Sequence, residues 1–341
     1  MRRSRLLTAV VVCVCAVGWH VSRGSGSPRA ELPSLVPAAA RADRLIVEPD
    51  DGMQPVYDLL ASPKRSLDLT IYELADPTAE SILAMDAGRG VHVRVLFDGR
   101  LERDRNGPAY AFLRDRGVEV AWSTSRFFAT HEKTFVIDGR TAVVMSLNLA
   151  SSYYATTRDL AVVDHDPADV AAIESVFAAD LRGGADTTPA ADDLVWSPRQ
   201  SWADLIALIK RAHRSVAVES EELSSPAVVG TLLDAARRGV RVSVAMTYSD
   251  AWRPALTALA RSGAQVRVMY GERPLYLHAK LMAIDAGTGH GIGFVGSENL
   301  SDASLLHDRE LGLVLLDTAS VRRIATVIAS DLADGNVWPP G

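Results

Sequence analysis

Thiols are all but missing from this 341-residue chain. Its two cysteines, Cys13 and Cys15, both fall within the first forty residues. The rest of the chain can form no disulfide, offer no thiolate nucleophile and bind no metal through cysteine. Aromatic residues are scarce, at 6%, which leaves little for the stacking platforms that single-stranded nucleic acid uses. Excess positive charge is missing too. The chain carries −6, and residues 1–40 hold five Arg against one Glu, so the remainder carries −10 (−6 − 4). Such a body disfavours nonspecific binding of polyanions, which depends on clustered Lys and Arg, although a local basic groove stays open. The one long apolar run at the N-terminus, from Leu6 to Trp19 behind Arg2, Arg3 and Arg5, is shorter than the roughly 20 residues of a comfortable membrane span. Residues 1–22 therefore read as a signal peptide or membrane anchor, and the Ser/Pro/Ala/Gly-rich residues 23–43 as a flexible tether. The expectation is an exported protein, secreted or tethered to the outer face of the cell membrane.

What is present is a duplication. KRSLDLTIYEL at 64–74 recurs as HRSVAVESEEL at 213–223, and GVHVRVLFD at 90–98 as GVRVSVAMT at 239–247, both at an offset of 149 (213 − 64 and 239 − 90). Strand-like apolar segments such as LDLTIY and HVRVLF alternate with amphipathic helical stretches, for example Leu205, Ile206, Leu208 and Ile209 against Lys210 and Arg211. That alternation predicts an α/β fold of two tandem homologous domains with mainly parallel sheets, packed about a pseudo-twofold axis. The halves are expected at 44–181 and 193–334, joined by a Gly/Pro/Ala/Asp linker at 182–192.

Each half ends in the same constellation. HEKTFVID at 131–138 matches HAKLMAID at 278–285, and four polar positions recur: His131/His278, Lys133/Lys280, Ser146/Ser297 and Asn148/Asn299. An acid follows each Asn by eleven residues, Asp159 (159 − 148) and Glu310 (310 − 299). Residues i and i+2 of a strand share a face, so each His projects with its Lys, and Ser and Asn join them across a hairpin. Imidazole, ammonium, hydroxyl and amide without a first-contact carboxylate suit a bound phosphate diester. Two such half-sites face to face place a histidine on either side of one phosphorus, one to attack and one to protonate the departing alcohol. Asp159 and Glu310 are the candidates to fix the distal ring nitrogens. No metal or other cofactor is required, because the lysines and asparagines already meet the phosphate oxygens. Asp138 and Asp285 sit in hairpin-turn signals and suit structure better than chemistry. Tyr72 and Glu73, with Glu221 and Glu222, lie at equivalent strand ends and could border the site.

These residues resemble the phospholipase D superfamily, whose H-x-K-x-x-x-x-D motif followed by G-S-x-N occurs twice in its two-lobed members. The likeness covers nearly the whole chain from about residue 44. Met145 departs from it, standing where the second half has Gly296 and leaving phosphate contacts from Ser146 less secure than those from Ser297. The resemblance implies a phosphohistidine on His131, with His278 as general acid and then base, and phosphate held by Lys133, Lys280, Asn148 and Asn299. Asp138 and Asp285 complete its motif. It further implies a phosphodiesterase that hydrolyses phospholipid headgroup esters at a membrane surface, or exchanges them with an alcohol. The alternatives are a nuclease, a cardiolipin or phosphatidylserine synthase-like phosphatidyltransferase, and a catalytically silent phosphate- or lipid-binding protein. Both half-sites lie on one chain, so a monomer suffices and no protein partner is obligatory.

Overall fold

The computed structural model describes residues 44–183, 188–189, 193–198, 200–271 and 273–339. The segments at 1–22 and 23–43, and most of the 182–192 linker, lie outside the described residues. The first half runs β1 (Arg44–Glu48), α1 (Gln54–Leu60), β2 (Ser66–Ile71), β3 (Leu74–Ala75), α2 (Pro77–Gly88), β4 (His92–Phe97) and α3 (Arg103–Arg114). It continues through β5 (Glu119–Trp122), β6 (Lys133–Ile137), β7 (Thr141–Met145), β8 (Leu149–Ala150), β9 (Thr157–Asp164) and α4 (Pro167–Leu181). The second half repeats the plan with β10 (Leu194–Ser197), α5 (Gln200–Lys210), β11 (Ser215–Glu219), α6 (Pro226–Arg237), β12 (Arg241–Thr247), α7 (Arg253–Arg261) and β13 (Gln265–Met269). After these come β14 (Tyr276–Leu277), β15 (Lys280–Ile284), β16 (Ile292–Gly296), α8 (Asp302–His307), β17 (Glu310–Leu315), α9 (Thr318–Asp334) and β18 (Asn336–Val337).

The class is α/β, in two homologous sheets. Each sheet is mixed. Parallel pairing runs through β2–β4–β5 and β11–β12–β13, the strands joined by crossover helices. Antiparallel pairing runs through β2–β6–β7–β9–β1 and β11–β15–β16–β17–β10, where short hairpins connect β6 to β7 and β15 to β16. Several helix starts are legible as Asp-Pro: Asp76 caps α2 through Thr78 N–H, and Asp166 caps α4 through Ala168 N–H, each with proline in the first turn.

Three apolar clusters hold these layers. One packs α1–α3 on the outer face of the first sheet, through Val56, Leu83 and Leu113. Another does the same for α5–α7 of the second, through Leu205, Leu232 and Leu259. The third joins the halves: Val144, Leu160 and Val162 of the first sheet meet Val295, Leu311 and Leu313 of the second, flanked by Ile173 of α4 and Ile328 of α9. At about 1.5–3 kcal/mol for each fully buried Leu, Ile or Val, this shared core makes the two halves one unit.

The hairpin turns carry Asp138 and Asp285, at φ 55° and 47°, a left-handed conformation that Asp tolerates. Asp138 accepts hydrogen bonds from the N–H groups of Lys64, Arg65 and Ser66, and Asp285 from those of His213, Arg214 and Ser215. These bonds outweigh burial and keep both carboxyls below the ordinary range. Each therefore pins the start of a parallel strand from the end of β6 or β15 away from the histidine. Although they complete the motif, neither Asp reaches the histidines.

Met145 and Gly296 exchange volume with their neighbours. In the second half a Cβ on Gly296 would lie 2.6 Å from Gly312 Cα and 2.9 Å from the Phe294 ring, and would also collide with the buried Glu298 carboxylate. The same places in the first half hold Ala161, Val143 and Leu147, smaller or differently shaped, so Met145 packs into the core with no exposure. The departure from glycine is a repacking of the layer beneath the site.

Candidate active site

Each histidine stands just before its strand, and the other half of the molecule sets its position. The N–H groups of His131 and Glu132 both donate to Arg309 C=O, at 2.9 and 3.0 Å. Those of His278 and Ala279 donate to Arg158 C=O, at 3.3 and 2.9 Å. The residue after each clamping carbonyl is the acid. Glu310 Oε2 therefore meets His131 Nδ1 at 2.8 Å, and Asp159 Oδ1 meets His278 Nδ1 at 2.8 Å. The acids are exchanged between halves, each serving the opposite histidine. With Nδ1 occupied, Nε2 is the nitrogen left for chemistry.

The arginines of the same dipeptides also cross over. Arg158 makes a two-pronged pair with Asp331 of α9, at 2.9 and 3.1 Å. Arg309 pairs with Asp180 of α4 at 2.8 Å. All four side chains are buried or nearly so. A signal for these partners is present in the chain, since Ala-Ala-Asp-Leu at 178–181 recurs as Ala-Ser-Asp-Leu at 329–332, an offset of 151 (329 − 178). Sequence reasoning missed it because an Asp on a helix is ordinarily solvated.

Both lysines are fully buried and fold back on the carbonyl of the histidine two residues earlier, Lys133 Nζ to His131 O and Lys280 Nζ to His278 O, each 2.6 Å. The i, i+2 geometry thus brings each His and Lys together on one face. Burial, with Lys280 nearby, lowers the Lys133 ammonium to about 7. The amide oxygens of Asn148 and Asn299 are buried and lack a hydrogen-bond partner among the described residues. An unpaired buried amide oxygen costs about 1–3 kcal/mol; it takes a donor such as a substrate hydroxyl, while the NH2 of the same side chain is the group that can meet a phosphate oxygen. Ser146 and Ser297 behave differently. Both are buried; Ser146 Oγ donates to Asp159 Oδ1 at 2.6 Å and accepts from Leu160 N–H, while Ser297 Oγ accepts from Leu311 N–H at 3.2 Å. They sit behind the site, holding the acid and its strand. Ser304 of α8, which the repeat does not mark, holds Glu310 Oε1.

Electrostatics sets the protonation state of His131. Burial, with Lys133 and Lys280 close by, keeps the His131 imidazole well below its ordinary range and hence neutral. Burial pushes Glu310 up to about 7, opposed by Lys133. A neutral ring whose Nδ1–H donates to an ionised Glu310 leaves an unprotonated Nε2, the form that can attack phosphorus.

The described residues match two copies of the family model "Cardiolipin synthase, PLD-like domain", at 56–181 and 205–332. A cardiolipin synthase of Alkalihalophilus pseudofirmus is 23% identical over 75% of this chain and 58% of its own length. Cardiolipin synthase A of Pseudomonas aeruginosa is 24% identical over 87% of this chain and 68% of its own. The chain thus spans little more than half to two-thirds of these relatives. A phosphatidylserine synthase from Haemophilus influenzae has the same fold, with a TM-score of 0.66 at 12% identity over 86% of this chain and 87% of that one. These relatives overturn the expectation of an exported, secreted or outer-face-tethered protein. They carry the name of cardiolipin synthases, not of a secreted hydrolase. Separately, no helix among the described residues is long and apolar enough to cross a membrane. The doubled family match, together with the doubled His-Lys-Asn constellation, makes this chain a member of the phospholipase D superfamily with two PLD-like domains of the cardiolipin synthase type.

Proposed function

We propose that the protein is a phosphatidyltransferase of the cardiolipin synthase kind, acting on phospholipid phosphodiesters through a phosphohistidine. The observation that carries this reading is the pair of histidines whose Nδ1 atoms are each taken by an acid from the opposite half, leaving two Nε2 atoms for one phosphorus. His131 Nε2 attacks, forming the P–N bond, while the P–O bond to the headgroup breaks and its oxygen takes a proton from His278 Nε2. An acceptor alcohol then gives its proton to His278, its oxygen bonds to phosphorus, and the P–N electron pair returns to His131. Lys133, Lys280, Asn148 and Asn299 hold the non-bridging oxygens throughout. The similarity to cardiolipin and phosphatidylserine synthases favours an alcohol over water in the second step.

The test uses the full chain with phosphatidylglycerol vesicles and a chelator, with lipid products read by mass spectrometry. Cardiolipin and free glycerol are expected. Phosphatidic acid as the sole product would replace transfer by hydrolysis, and no lipid product at all would remove the lipid substrate.

The pH dependence of kcat/KM should be bell-shaped and narrow, centred near 7. Glu310 sits at about 7 and must be ionised to accept from His131 Nδ1–H, so activity falls as pH drops below that value. Lys133 also sits at about 7 and must be protonated to hold phosphate, so activity falls as pH rises above it. In kcat the alkaline limb should move upward, because bound phosphate stabilises the Lys133 ammonium. A flat profile from pH 6 to 8 would contradict both assignments.

A further inference from the structure

The half-sites match in His, Lys and Asn but differ at the strand end beside each lysine. In the first half this residue is Tyr72. Its ring meets His131 edge-on, with centroids 4.6 Å apart at 71°, and the Lys133 ammonium lies 4.9 Å from the ring centre. In the second half the equivalent residue is Glu221 (221 − 72 = 149, the repeat offset). Glu221 Oε2 lies 3.0 Å from Lys280 Nζ and 3.4 Å from His278 Nε2, and Oε1 accepts a hydrogen bond from Tyr276 O–H at 2.9 Å. Since Asp159 takes Nδ1, the carboxylate stands beside the one His278 nitrogen available for proton transfer.

Burial opposes ionisation of Glu221, but Lys280 and His278 outweigh it and hold the carboxyl far below the ordinary range. The group is a standing anion whose charge Lys280 already balances. One oxygen is engaged by Tyr276, and what remains is hydrogen-bond acceptor capacity on the His278 side. That suits a neutral hydroxyl better than a second cation.

Displacement at phosphorus is in line. With His131 attacking, the departing and entering oxygens lie on the opposite side, next to His278 Nε2 and therefore next to Glu221. A hydroxyl on the neighbouring carbon of that alcohol falls within reach of Oε2; water and simple alcohols have none. We propose that Glu221 selects a polyol as the alcohol in this reaction, accepting a hydrogen bond from the hydroxyl adjacent to the reacting one. This deepens the phosphatidyltransferase reading and rests on it. The aromatic at the matching place in the first half explains why selection falls on one side only.

The test supplies the full chain with phosphatidylglycerol vesicles and equimolar 1-propanol, 1,2-propanediol and ethanolamine, and compares the resulting phosphatidyl esters by mass. The product ratio within one reaction does not depend on how much enzyme is folded. The wild type should favour the diol over 1-propanol. Glu221→Ala should lower that ratio about tenfold, the loss of one hydrogen bond to a charged acceptor, Glu221→Gln should fall between, and Glu221→Asp should keep the diol preferred. An unchanged ratio in Glu221→Gln and Glu221→Ala would overturn the role of Glu221 while leaving phosphatidyl transfer standing. Preference for ethanolamine over the diol in the wild type would replace the hydroxyl by an ammonium and overturn it as well. If the wild type forms neither these esters nor cardiolipin, phosphatidyl transfer itself fails, and the polyol assignment with it.

Discussion

His131→Ala is expected to remove turnover almost entirely, with kcat falling on the order of 10⁵-fold or more, the loss typical of a covalent nucleophile. His278→Ala should cost less, about 10²- to 10⁴-fold, as expected when a general acid-base is removed. The two variants separate most sharply on an activated diester such as bis(p-nitrophenyl) phosphate. Nitrophenolate leaves without a proton, so His278→Ala can still complete the first step. The second step lacks its base, and the phosphorylated enzyme should accumulate. One equivalent of nitrophenolate should therefore appear in a burst, and the protein mass should rise by the nitrophenylphosphoryl adduct on His131. His131→Ala should give neither. A burst in His131→Ala with none in His278→Ala would exchange the roles. No burst in either, with equal residual rates, would rule out a covalent intermediate. The neutral state imposed on His131 by burial and the two lysines is the physical ground for assigning attack to that side.

Arg309→Met is expected to destabilise the fold by about 3–5 kcal/mol, the cost of breaking a buried ion pair by removing one of its two members. Arg309 has no exposure, pairs with Asp180 of the other half, and lies 4.3 Å from the Phe127 ring centre. Its charge also opposes the effect of burial on Glu132, which stands at about 8. The folded state holds Glu132 above its unfolded value, so its protonated form supports the fold at low pH, and that support is lost as pH rises through about 8. Without Arg309 the ionised form is costlier still, and the destabilisation should grow from pH 7 to 9. Thermal unfolding of wild type and variant at pH 6 and 9 reads both effects. Removing Asp180 as well, in Arg309→Met/Asp180→Leu, should recover part of the loss, since replacing both members of a buried ion pair by apolar side chains costs less than breaking the pair. A variant with unchanged thermal stability would mean that the inter-half pairs contribute nothing, and the shared apolar core alone joins the halves.

Much of this protein was legible in the chain. The repeat at a constant offset, the alternation of strands and helices, and the doubled His, Lys, Asn and acid positions follow from periodicities of two and 3.6 residues and from chemical type, both local properties. Asp138 and Asp285 were readable as turn residues because Asp in a hairpin turn satisfies nearby N–H groups whatever surrounds it. Only the tertiary structure decided how the halves use each other. Spacing put Asp159 beside Asn148 and Glu310 beside Asn299, yet the backbone clamps at Arg158 and Arg309 hand each acid to the opposite histidine. The serines that seemed to face phosphate turned out to lie behind the acids, because the hairpin register points them into the buried layer. The linear pattern also treated Tyr72 and Glu221 as one more matched pair. Their chemical difference gained meaning only when folding set the aromatic against His131 and the carboxylate against His278. A duplicated sequence determines that two equal half-sites exist. Packing them around one centre breaks the equality, since residues that do not interact along the chain then share the same few ångströms and each changes the charge its neighbour can hold.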